Sequence, residues 1–108
     1  MRGFLADRSI IIDYLRQKDK DKTILFKLGQ KNLPIYASII THAECYAGKS
    51  IWEEKAAKEA LKIVFSGIKI LPLEEIISQK AGEISARYNL QIVDAIIAAT
   101  SIIHNLDL

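Results

Sequence analysis

The chain has 108 residues, a formal charge of +2, half of its residues hydrophobic and about a quarter charged. These values fit one packed core over residues 1–108 and exclude a disordered or fibrous chain. A single cysteine, Cys45, excludes an internal disulfide framework and cannot make a zinc site alone, and His42 and His104 are too far apart for a helical ligand pair.

The chain opens with a short apolar run, Arg2 to Ala6, read as a strand, and Ser9 to Arg16 carries apolar residues at helical spacing. A charged turn, Gln17 to Lys22, leads to a short helix from Thr23 to Leu28 that Gly29 is expected to stop. Leu33 to Ser38 reads as a second strand, followed by a helix over Thr41 to Ala47 and a break at Gly48, Lys49 and Ser50. Ile51 to Phe65 reads as one amphipathic helix, Ile68 to Leu71 as a third strand, and Leu73 to Tyr88 and Gln91 to Ile103 as the last two helices. The order is β-α-α-β-α-α-β-α-α. Its strands are continuously apolar, as strands covered on both faces are. A three-layer α/β/α fold with a short parallel sheet is expected, with function sought at the carboxyl ends of the strands.

The longest apolar stretch, Ile92 to Ile103, is interrupted by Asp94 and falls short of the ~20 residues a membrane-spanning helix needs. Gly3 to Ala6 is too short for the apolar region of a signal peptide. A cytoplasmic location without a membrane span is expected.

Three carboxylates stand out. Asp7 ends the first strand, where both helix capping and catalysis are open to it. Glu44 follows Thr41 by three residues, the spacing of a capping box. Asp94 interrupts an apolar run with no basic residue three or four positions away, so it is expected to be buried and to need a partner from elsewhere in the fold. Parallel topology can bring all three to one edge of the sheet. Clustered carboxylates repel unless a cation neutralises them, and oxygen-only ligands select Mg²⁺ or Mn²⁺ over zinc. Such a site suits phosphodiester hydrolysis.

The segments Phe4 to Leu15, Ile40 to Gly48 and Val93 to Thr100 resemble, in this order, the three motifs of PIN-domain ribonucleases, specifically VapC-type toxins. The resemblance implies a Mg²⁺-dependent endoribonuclease, the toxin of a type II toxin-antitoxin pair, acting on RNA and held silent by a VapB-like antitoxin. Carried over by motif, Asp7, Glu44 and Asp94 are the catalytic and metal-binding residues, and Ser9 supports Asp7. Asp13 recurs in the first motif, where pairing with Arg16 on its own helix is the alternative. The chain departs from the pattern in two places. Arg8 replaces a small hydroxyl residue, and the family continues past a segment like His104 to Leu108 into a further strand with a fourth acidic residue, so the fold is expected to be C-terminally truncated. Asp107 is expected to lie in the helix-to-strand connection ahead of that strand. Without it the first strand is an open edge, which favours a homodimer.

A second reading is a catalytically incomplete PIN-like binding module that keeps antitoxin-binding or self-association surfaces. A phosphoacceptor receiver domain would need an acidic pair after the first strand and a later lysine, neither of which is visible, and a dinucleotide-binding fold would need a Gly-rich turn after that strand. The lysines between Arg16 and Lys31 read as a solvated face or an RNA-guiding one, and Trp52 as a core or a partner-packing residue.

Overall fold

The computed structural model describes residues 2–108. Three short strands, β1 (Phe4–Leu5), β2 (Ile35–Ser38) and β3 (Lys69–Leu71), form a parallel sheet in the order β1-β2-β3. Phe4 stands opposite Ile35, and Tyr36 opposite Lys69. Parallel neighbours need crossovers, and helices supply them: α1 (Arg8–Arg16) and α2 (Ile24–Gln30) join β1 to β2, while α3 (Ile39–Tyr46), α4 (Lys49–Glu53) and α5 (Lys55–Ser66) join β2 to β3. The last two, α6 (Glu75–Tyr88) and α7 (Ile92–His104), follow β3.

Alternation along the strands splits the apolar residues between two cores. Ala6, Ala37 and Ile68 face a core built with Ile11 of α1, Cys45 of α3 and Leu61 and Phe65 of α5, and Phe4, Ile35 and Ile70 pack against it. Leu5 and Leu71 point the other way, to Ile97 of α7 and Leu106, with Tyr36 packed beside them. Both faces of the sheet are thus covered, as expected for a three-layer α/β/α arrangement. A third cluster, Ile77, Ala81, Ile84, Ala95 and Ala99, holds α6 against α7. No described helix is long and apolar enough to cross a membrane.

Several boundaries differ from the sequence reading. The first strand pairs only at Phe4 and Leu5, because Ala6 already leads into the turn that caps α1. Gly29 does not stop α2. The chain turns at Asn32, whose φ of 57° is left-handed, and Asn89 and Asn105 close α6 and α7 in the same conformation. The segment Ile51 to Phe65 is two helices, broken at Glu54, which is extended at φ −119° and ψ 113°. Lys49 and Ser50, expected as a break, open α4. The charged turn holds a 3-10 turn from Lys20 to Lys22, and the Lys20 ammonium donates to the carbonyls of Tyr14, Leu15 and Gln17 at 2.6, 3.1 and 3.0 Å, closing the end of α1. Asp107 is not merely in a connection. It makes a parallel bridge with Phe4, its N–H donating to the Gly3 carbonyl at 3.0 Å and its carbonyl accepting from the Leu5 N–H at 2.7 Å, so the outer edge of β1 is partly paired.

Candidate active site

Asp7 is the N-cap of α1. Its Oδ1 accepts from the Ile10 N–H at 3.1 Å and from the Ser9 hydroxyl at 2.8 Å. Both bonds fall on one oxygen, which fixes the carboxylate and leaves Oδ2 for a further partner. Capping and a ligand role are therefore compatible in one residue.

Glu44 sits elsewhere than the capping-box spacing suggests. The helix begins at Ile39, and buried Ser38 is the cap, accepting from the Ile40 N–H at 3.1 Å. Thr41 is then inside the helix and fully buried, with its hydroxyl oxygen unpartnered, and Glu44 lies half-buried in the last turn of α3. Helix α3 packs against α1. Burial pushes the Cys45 thiol up to about 11, while the Arg8 guanidinium pulls it down and the Glu44 carboxylate pushes it up. Helix α1, capped by Asp7, and helix α3, which carries Glu44, are neighbours in the fold.

Asp94 corrects the sequence reading most directly. It is exposed, in the first turn of α7, while Ala95, Ile97, Ala99 and Thr100 take the buried positions. The buried-charge argument for this residue fails, since water and the positive end of the helix dipole accommodate the carboxylate. Residues past the end of α7 pair with Gly3 to Leu5, at the amino end of β1, and the helix that bears Asp94 in its first turn is 13 residues long, roughly 20 Å.

Among the described residues none of the three carboxylates is in a salt bridge. No three His, Cys, Asp or Glu side chains among them are gathered closely enough to enclose a metal ion. The donor chemistry nevertheless fits Mg²⁺, which keeps several waters and is held by one or two carboxylates together with substrate phosphates rather than by a protein cage. Asp13 does not pair with Arg16. It is exposed and its Oδ1 accepts from Gln17 Nε2 at 3.3 Å. Trp52 is not a core residue: 64% exposed, it donates its indole N–H to the Tyr46 carbonyl at 2.7 Å, with the Lys58 ammonium 4.9 Å from the ring centre. A groove of about 600 Å³ lies between α1, α2 and α5, with Tyr14, Leu25, Phe26 and Val64 among its lining residues, and no acidic side chain lines it.

The PIN domain family model matches residues 4–108. The chain belongs to the PIN-domain family, whose members are generally nucleases. Among solved structures it is similar to a toxin-antitoxin complex from Klebsiella pneumoniae, at 26% identity and a TM-score of 0.70, over 96% of this chain and 82% of the other. No curated protein sequence matches the chain significantly.

Proposed function

We propose that this chain is a Mg²⁺- or Mn²⁺-dependent endoribonuclease, the toxin of a type II toxin-antitoxin pair, acting in the cytoplasm as one PIN-like domain over residues 1–108. The observation that carries the reading is the set of unpaired carboxylates, Asp7, Glu44 and Asp94, in a PIN-domain chain, with Asp7 fixed by Ser9 and the backbone of α1. In this reading these three residues hold the cation, which when bound supplies Lewis acidity toward a phosphodiester and acidifies water. Asp7 orients its free oxygen through the two bonds on the other one, Glu44 adds charge from α3, and solvent-facing Asp94 leaves the site open to a long polymer. A VapB-like antitoxin is the inferred protein partner, supported by the likeness to the Klebsiella pneumoniae complex. A homodimer is inferred from the large apolar side chains left exposed on α6 and α7, such as Ile76, Ile92 and Ile102.

A second reading, a PIN-like binding module without a complete metal site, draws on the absence of a gathered three-acid group among the described residues. Incubating the chain with single-stranded RNA in Mg²⁺, in EDTA, and in EDTA followed by excess Mg²⁺ separates them. The enzyme reading expects cleavage that EDTA abolishes and Mg²⁺ restores, whereas intact RNA in all three supports the binding module.

A further inference from the structure

Arg8 is poorly placed for the helix it begins. It is the first residue of α1, exposed, in a first turn that contains no acidic residue. A cation there faces the positive end of the helix dipole, which disfavours it. Pairing does not explain it either. Although Asp7 precedes it and Glu44 lies on the helix packed against α1, Arg8 forms no side-chain hydrogen bond or salt bridge among the described residues. An unpaired cation thus directly follows Asp7, at the start of the helix that packs against the Glu44-bearing α3.

We propose that Arg8 binds a backbone phosphate of the RNA at this acidic edge, an assignment that rests on the nuclease reading above. A group of carboxylates repels a polyanion, and a guanidinium at its border offsets that repulsion while offering two parallel N–H donors to one phosphate. Of the cations nearby in sequence, Arg2 pairs with Asp107 at 3.4 Å. Lys20 is spent on the end of α1, and Lys22 pairs with Asp19 at 3.6 Å. Arg8 therefore acts by holding the substrate, not by taking part in bond cleavage.

The test compares the wild-type chain with Arg8→Ala and Arg8→Lys, using a labelled single-stranded RNA oligonucleotide. Fluorescence anisotropy in EDTA across a salt series reads binding, steady-state cleavage in Mg²⁺ reads kcat and KM, and thermal melting reads the fold. The expected result for Arg8→Ala is RNA binding roughly tenfold weaker, with the slope of log affinity against log salt shallower by about 0.7, the value for one phosphate contact on a single strand. KM should rise with kcat nearly unchanged, as for a group that binds ground and transition states alike. Arg8→Lys should restore the slope but only part of the affinity, since an ammonium cannot make the paired contact. Melting temperature should stay level or rise in Arg8→Ala, which a merely structural role for Arg8 would not give. Cleaving wild type with an Arg8→Ala variant of equal affinity, slope and KM overturns the assignment while leaving the nuclease reading intact. A wild-type chain that neither binds nor cleaves RNA overturns both.

Discussion

Asp7 combines two roles that substitution can separate. Asparagine caps a helix about as well as aspartate, whereas alanine loses the bond to the Ile10 N–H, at about 1 kcal/mol. Asp7→Asn should therefore melt close to wild type and Asp7→Ala below it, so that any loss of activity in the asparagine variant reflects the missing charge; equal melting temperatures for the asparagine and alanine variants would deny Asp7 its capping role. Cys45 illustrates a different local effect. Its thiol is held up at about 11 against 9.0 by burial, so the folded chain retains the proton more strongly than the unfolded one. The stability this contributes is full below pH 9.0 and is lost as the pH rises from there through about 11. Denaturant melts at pH 8 and pH 10.5 should show a Cys45→Ala variant losing less stability over that interval than wild type. An equal loss in both would mean that the thiol does not titrate with unfolding.

At the scale of elements, most of the architecture was legible because strands and helices alternate with clear apolar runs and turn residues. The failures have physical causes. In α7 the residues Ile92, Val93, Ile96 and Ile97 are apolar around most of the helix, so periodicity does not define its phase. Packing against α6 and the sheet selects Ala95, Ile97 and Ala99 for the interior and leaves Asp94 in water. The break at Glu54 has no proline or glycine to announce it, and it falls where Ile51 and Leu61 must both enter one core from differently directed helices. Glu44 is singled out by its motif alone, and the helix start two residues before Thr41 was hidden because β2 passes into α3 with no intervening loop. That early start leaves the Thr41 hydroxyl oxygen fully buried without a partner. Thr41→Val keeps the shape and removes the unsatisfied group, so it should raise stability by about 1 kcal/mol in urea unfolding. A destabilised valine variant would show that the hydroxyl is satisfied in solution.

At the scale of the whole molecule, the two cores meet at a three-stranded sheet whose first strand borrows hydrogen bonds from the residues after α7. Leu106 is buried with Leu5, Leu71 and Ile97, and Asp107 bridges to Phe4. Leu106→Ala should lower unfolding free energy by about 2–4 kcal/mol, with protection of the Leu5 amide falling in hydrogen exchange; a loss well under 1 kcal/mol would mean that this segment packs loosely. The proposed chemistry belongs to the opposite, carboxyl edge, where Asp7 caps α1. The most direct test of that placement is RNA cleavage in Mg²⁺ by wild type, Asp7→Asn, Glu44→Gln and Asp94→Asn, each first shown by circular dichroism and melting to be folded. Cleavage by wild type is expected, with at least a hundredfold loss in each variant, in line with about 3 kcal/mol of electrostatic stabilisation removed. Wild-type rates in the folded Asp94→Asn or Glu44→Gln variant would contradict a shared site at this edge.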